Sequence, residues 1–356
     1  MKFSIVVNMD RTDPNQDMRD VVRECLELVQ IADEGGFEIA FTAEHHTIEV
    51  TVAPNPFTLL TYWGQHTKNI RLGTAVVSAP YWHPIRLAGE AALTDIILEG
   101  RLELGLGRGS YQYEFDRMAG GMPQGDGGKY LREIVPLLNK LWAGDVEHKG
   151  ELFQFPAATS VPKPLQNPGP RMWVAARDPN TFDFAVKNGC HIMSTPLQRP
   201  HEEVIDLCKK FEMVVAANPQ VPRPEHMMLR RACVYENPDE WRKPVDATID
   251  FGRHFENLFR NLGTVRNGFP EPVDVNVIAN KTDYSPEALH ENMLFGTADE
   301  VIAKLEKYEE AGVDHFLYAG RFGLPHPESK KSLELFCRDV IPHFQSNESV
   351  KRERAV

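Results

Sequence analysis

Short β-branched or apolar runs alternate with longer amphipathic runs along most of the chain, and no other feature restricts the possible folds as much. Lys2–Val7 reads as a strand and Val21–Glu34 as a helix ending at Gly35-Gly36. Phe37–Thr42, Ile70–Val77 and Arg101–Leu106 read as the next strands, each followed by a helical run: Phe57–Thr67, His83–Leu98 and Tyr130–Trp142. Four consecutive strand–helix units favour a parallel sheet with helical crossovers. The second half is more interrupted. A surface hairpin is expected at Val146–Phe155, and a proline-rich connector at 161–170. Strands are expected at Met172–Ala176, Cys190–Ser194, Met227–Tyr235 and His315–Ala319, with helices at Pro179–Lys187 and Ala298–Ala311. Residues 239–286 read as irregular, and a loop-rich stretch of that length is usually functional. About eight strands and eight helices point to an α/β fold, a (β/α)8 barrel of the TIM type with loop insertions. A doubly wound open sheet is the rival.

Composition narrows the function classes. The 356 residues carry 51 acidic against 39 basic side chains, a formal charge of −12. Chains that neutralise many phosphates need the opposite balance, so neither nucleic acid nor an anionic membrane is an expected partner. Five cysteines are widely spaced with no CxxC pair, which fits neither a disulfide framework nor a zinc site. The chain opens on a strand-like run instead of a signal peptide, and no apolar run approaches the roughly 20 residues of a bilayer span. A cytoplasmic protein is expected, with residues 1–356 forming one domain.

Three clusters could carry chemistry. Glu44-His45-His46 follows the second strand, where a barrel places its active-site groups, and imidazole titrates near neutrality. Adjacent histidines in extended backbone point to opposite faces, which argues against a shared metal ion. Gly105-Leu106-Gly107-Arg108-Gly109-Ser110-Tyr111 follows the fourth strand. Its glycines permit close backbone approach to a ligand, and Arg108 offers a planar fork suited to phosphate. It is not a dinucleotide fingerprint, because Ser110 stands where the third glycine belongs. At Ala175-Ala176-Arg177-Asp178-Pro179 a strand meets a helix, with Asp178 as N-cap and Pro179 at the first helical position. Free N–H groups there would suit a phosphate, although a well-capped helix without ligand explains the pattern equally well.

Together and in this order, these segments resemble the bacterial-luciferase family of FMN-dependent monooxygenases. The resemblance is carried by AEHH at 43–46, LGTAVVSAP at 72–80, HPIRLAGEAALTDIILEGRLELGLGRG at 83–109, the turn at 172–185 and GTADEVIAKLEKYEEAGVDHF at 296–316. It implies a barrel binding reduced FMN at the C-terminal strand ends, with FMNH2 supplied by a separate flavin reductase and O2 as co-substrate for oxidising a small organic molecule. It makes His45 the catalytic histidine, with Glu44 tuning or orienting the site. It assigns Arg108 to the FMN phosphate, Tyr111 to the flavin, and Ala176, Arg177 and Asp178 to a second phosphate-binding turn. Ala75-Val76 falls where the family carries a non-prolyl cis peptide beneath the flavin ring. Residues 240–290, holding Arg253, His254, Phe255, Arg260 and Arg266, correspond to the family's mobile lid. A homodimer or higher oligomer is implied as well.

The departures from the luciferase catalytic subunit are specific. Gly107 replaces a cysteine beside the flavin, and Lys129 replaces an arginine near the phosphate, keeping the charge but not the fork. Asp178 replaces a small hydroxyl residue, so its carboxylate must cap the helix or face away from phosphate. Competing readings are a deazaflavin-dependent hydride-transfer oxidoreductase, a non-catalytic flavin-binding subunit, and a metal-dependent barrel hydrolase. The last would need a His-x-His run where this chain has Asn8-Met9-Asp10.

Overall fold

The computed structural model describes residues 1–279 and 281–345. Its parallel strands are β1 (Lys2–Val6), β2 (Ile39–Thr42), β3 (Arg71–Thr74), β4 (Leu102–Gly107), β5 (Arg171–Ala175), β6 (His191–Ser194), β7 (His226–Val234) and β8 (His315–Ala319). Each pairs with the next, and β8 pairs back onto β1 with Lys2 beside His315 and Val6 beside Ala319. The sheet is therefore a closed eight-stranded barrel, and the open-sheet alternative is excluded.

Two apolar layers hold the barrel. Inside, Val6, Phe41, Trp173, Met193, Met227 and Leu317 fill the lumen. Outside, a larger layer that includes Leu28, Leu60, Leu87, Leu138, Phe182 and Leu305 packs the helices onto the strands. Local signals place several helix starts. Asp17 caps Met18–Glu34, Asn55 caps Pro56–Gly64, and Thr297 with Glu300 forms a capping box on Ala298–Ala311. Two carboxylates at the N-terminal rim of the barrel are multiply paired. Glu103 meets Arg71, Arg171 and the Trp173 indole, while Glu225 meets Lys2 at 2.7 Å and His315 at 3.0 Å. Among the described residues, no helix is long and apolar enough to cross a membrane.

The elements differ from the sequence expectation in several places. The run expected as one strand at Ile70–Val77 divides into β3 and a short Val77–Ser78 segment on β4, separated by a cis Ala75–Val76 peptide. A helix at His201–Ala217 and a strand at Leu294–Gly296 were not anticipated. The largest correction concerns 239–286, which is mostly regular. It contains the 19-residue helix Arg242–Arg260, an antiparallel pair of Val265–Arg266 with Phe269–Pro270, and short helical turns. The helix was hidden because Pro244 stands in its first turn, Gly252 in its middle, and no side chain caps its start. Its face packs with Ile48, Val50, Tyr111, Tyr284 and Phe322 into a separate apolar cluster over the C-terminal end of the barrel.

Candidate active site

The backbone leaving β2 carries Glu44, His45 and His46 into the barrel mouth, and each has a different partner. Both Glu44 oxygens are occupied: Oε2 accepts from the Ser78 N–H at 2.7 Å, Oε1 contacts His46 Nε2 at 2.7 Å, and the Trp82 indole N–H spans both. Glu44 thus ties the β2 loop to the segment after β3 and touches His46, not His45. His45 turns toward Glu114, whose Oε2 lies 3.0 Å from Nδ1 while its Oε1 accepts the His46 N–H at 2.6 Å. With the Glu114 oxygen as acceptor, the proton of that contact sits on Nδ1, and Nε2 is the ring nitrogen not engaged by Glu114. Burial presses the His45 imidazolium down, but the Glu114 charge, with Glu44 and Asp10 behind it, outweighs burial and raises the pKa above the usual histidine value. The Tyr111 ring stacks on His45 at 4.9 Å between centroids.

A cleft of about 430 Å³ opens at the same C-terminal strand ends, while His45 itself lines a separate, more open groove with Thr47, Val52, Tyr113 and Gly268. Its floor is apolar, made by Ala75, Val76, Met193, Leu229 and Leu317. Its outer wall is cationic and hydroxylic, with Arg108, Arg132, Arg177, Ser110 and Thr181. Gly107 lies between the two, and a Cβ there would stand 2.5 Å from Val76 Cγ2, so the missing side chain shapes the floor. Gly109 adopts φ +83 and lets the chain turn from Arg108 back to Tyr111. The loop after β4 thereby joins the cationic wall to the His45 pair. Arg177 donates to Glu203 at 2.8 Å, yet its Nε is buried with no partner. Asp178 resolves the charge conflict anticipated from the sequence by capping: its carboxylate accepts from Thr181 N at 3.0 Å and Thr181 Oγ1 at 2.8 Å.

These features fit a flavin mononucleotide. A flat apolar floor suits the ring, and three guanidinium groups with one unmet buried N–H suit the phosphate. Of the residues expected to hold it, Ala75, Val76, Arg108, Ala176, Arg177 and Asp178 line the cleft together, while Tyr111, expected with them, does not line it and stacks on His45 instead. Lys129 does not join them. It is exposed and pairs with Asp126 at 3.0 Å, and Arg132, one turn further along the same helix, lines the cleft instead. The cations of the 240–290 segment also point elsewhere: Arg253 donates to the Val273 carbonyl, His254 contacts the Pro270 carbonyl, and Arg266 pairs with Glu271. What that segment offers the site is aromatic. Phe259 lines the cleft, and Phe255 meets Tyr111 edge-on at 6.2 Å. Glu114, Arg132 and Phe259 were missed by sequence reasoning, since each reaches the site from another element and no local pattern marks it.

Comparison with known proteins agrees with this geometry. Residues 1–315 match the family model of luciferase-like monooxygenases. The chain is 41% identical over 356 residues to the oxygenase component of a flavin-dependent trigonelline monooxygenase from Acinetobacter baylyi, covering 100% of this chain and 99% of that one. Among solved structures, the monooxygenase RslO1 from Streptomyces bottropensis superposes with a TM-score of 0.82 at 27% identity, over 97% of this chain and 100% of the other. The oxygenating constituent of 3,6-diketocamphane monooxygenase from Pseudomonas putida, solved with FMN, has the same fold with a TM-score of 0.76 at 20% identity, over 96% of this chain and 98% of the other.

Proposed function

The chain belongs to the luciferase-like monooxygenase family, and on that premise we propose that it is the oxygenase component of a two-component system. It takes reduced FMN from a separate reductase and uses O2 to oxidise a small organic substrate. The observation that carries this reading is the cleft, with its apolar floor and three arginines, at the same end of the barrel as the carboxylate-paired His45, to which the Arg108–Tyr111 loop connects it. Reduced flavin, when bound, supplies the electrons that activate O2, and the protein contributes position, dryness and proton control.

Arg108, Arg132 and Arg177 would hold the phosphate, and Ala75, Val76 and Gly107 would support the ring face. His45, with its Nδ1 proton directed to Glu114, would hold or release a proton at Nε2 facing the reacting groups. Glu44 keeps the β2 loop in register through Ser78 and Trp82, so His45 presents a fixed edge. Helix Arg242–Arg260 covers the mouth with Phe255 and Phe259, and as a lid it would exclude water from the reaction. Trigonelline, the compound named for the Acinetobacter relative, is a planar pyridinium carboxylate and the first substrate to try.

The test is an anaerobic titration of the protein with FMNH2, followed by isotopically labelled O2 in the presence of trigonelline or related ring compounds. Tight FMNH2 binding and one labelled oxygen atom in the product are expected. No affinity for reduced FMN, or hydride transfer without oxygen uptake, would refute the proposal. His45→Ala should bind FMNH2 normally and lose product formation in a single turnover; unchanged product yield would remove His45 from the mechanism.

A further inference from the structure

Strand β7 carries two adjacent arginines that meet opposite fates. Arg230 faces outward into the helical layer and donates to the Tyr308 hydroxyl and to the carbonyls of Leu197 and Arg199, each at 2.8 Å, with its Nη2 alone left unpartnered. Arg231 faces the other way. Met227 and Leu229 pack inside the barrel, so Arg231 continues their inward face to the strand end, in register with Ala319 of β8. There the guanidinium lies 5.4 Å from the Phe251 ring centroid of the covering helix and 5.7 Å from that of Phe322. Among the described residues it takes part in no hydrogen bond or ion pair, and its Nη1 is buried without a partner. Asp10, Tyr111 and Tyr284 are near enough to be felt electrostatically, but none closes onto it. Two other arginines at this rim, by contrast, are paired: Arg321 with Glu24 at 3.3 Å and Arg11 with Glu49 at 2.7 Å.

A buried guanidinium with no hydrogen bond or ion pair is unfavourable in the empty protein, because two ring faces replace only part of its lost hydration. Around it stand Tyr111, Phe251, Tyr284, Phe322 and, beyond Tyr111, Phe255. Aromatic walls accept a flat ring, and a planar fork with free N–H groups accepts the two oxygens of a carboxylate. We propose that Arg231 is the specificity-determining residue of the substrate chamber, binding the carboxylate of an aromatic acid beneath helix Arg242–Arg260. The inference rests on the reading of the barrel mouth as a monooxygenase site, and it adds the substrate class and the residue that reads it.

Calorimetric titration of the full chain, with and without FMN, compares nicotinate with nicotinamide and benzoate with benzamide. These pairs share size and shape and differ in the charge. The acids should bind roughly 10- to 100-fold more tightly than the amides. Arg231→Met should reduce that preference to about twofold or less, and Arg231→Lys, which keeps the charge but not the fork, should retain part of it. Affinity for FMN should be unchanged in both variants. The ligand-free Arg231→Met protein should melt no lower than the wild type, since it loses an unpaired charge and keeps an apolar stem. Equal binding of acids and amides, no binding of either, or an acid preference surviving in Arg231→Met would overturn the proposal. A parallel loss of FMN affinity in Arg231→Met would assign the guanidinium to the cofactor and overturn it too. These outcomes leave the monooxygenase reading standing, whereas a wild type without affinity for reduced FMN would fail that reading first.

Discussion

Asp10 lies at the end of β1 and offers a test of the barrel mouth that needs no ligand. Its Oδ1 accepts from the Thr51 N–H at 2.8 Å and the Thr51 hydroxyl at 3.1 Å, while Oδ2 is buried with no partner. Burial raises its pKa to about 6, against the pull of Arg321, the Thr51 hydrogen bonds and Arg231. Below pH 4 the carboxyl is protonated in both folded and unfolded chains and has no pH-linked effect. Between about pH 4 and 6 the folded protein keeps a proton that the unfolded chain releases, so rising pH favours unfolding. A shift of about two pKa units is worth about 3 kcal/mol, all of it lost by pH 7. Asp10→Asn cannot ionise and escapes that loss. Whatever constant offset the substitution introduces, the variant should gain about 3 kcal/mol on the wild type between pH 4 and pH 7.5. At an unfolding entropy of about 2.1 cal/mol/K per residue, that is roughly 4 °C in Tm. Paired thermal melts across this range cancel the titrating groups distant from Asp10, and repeating the pair in a His45→Ala background removes the one histidine whose pKa Asp10 helps to raise. A difference in Tm that is flat with pH, or that moves against the variant as pH rises, would refute the burial argument.

Three further outcomes follow from named contacts. Glu114→Gln keeps an acceptor for the His46 N–H but removes the charge that outweighs burial at His45. The His45 limb of the pH–rate profile should therefore move to lower pH, with turnover reduced roughly tenfold or more; an unmoved limb would separate Glu114 from His45 titration. Arg132→Ala should weaken FMN binding roughly 10- to 100-fold while Lys129→Ala leaves it unchanged, as read by fluorescence titration; the reverse order would place the phosphate outside the cleft. At the opposite rim, Glu103→Gln strips the partner from Arg71 and Arg171 and should destabilise by about 3 kcal/mol in denaturant melts without altering FMN affinity.

The barrel was legible because strand and helix periods differ and both repeat many times along the chain, so an error in one element does not change the architecture. Asp178-Pro179 was legible because a cap is written within three residues. The partners that complete the site come from other elements and carry no local sign. Glu114 belongs to the helix Gln112–Met118 and reaches His45 across 69 positions of sequence. Lys129 and Arg132 share one helix, and only the rotation of that helix decides which reaches the cleft. Arg230 and Arg231 are identical neighbours, and the strand pleat alone makes one a structural donor and the other a free cation. The helix over the mouth was obscured by Pro244 and Gly252, although its apolar residues recur at helical spacing.

The distribution of unmet polar atoms explains why the mouth and the opposite rim behave differently. Among the described residues, five of the ten buried side-chain polar atoms without a partner lie at or just beyond C-terminal strand ends: Asp10 Oδ2, Thr42 Oγ1, Tyr81 OH, Arg177 Nε and Arg231 Nη1. At the N-terminal rim His226 Nδ1 is the exception beside the paired carboxylates Glu103 and Glu225. Each unmet group destabilises the empty protein by roughly 1–3 kcal/mol, so several in one place need a compensating contact. A ligand supplies it, and at a hundred times its Kd contributes about 2.7 kcal/mol to stability. Substitutions that remove these groups should therefore stabilise the empty chain and weaken what it binds, while equivalent changes at the paired rim should only destabilise. That asymmetry is the pattern a ligand site at the C-terminal strand ends would leave in the empty chain.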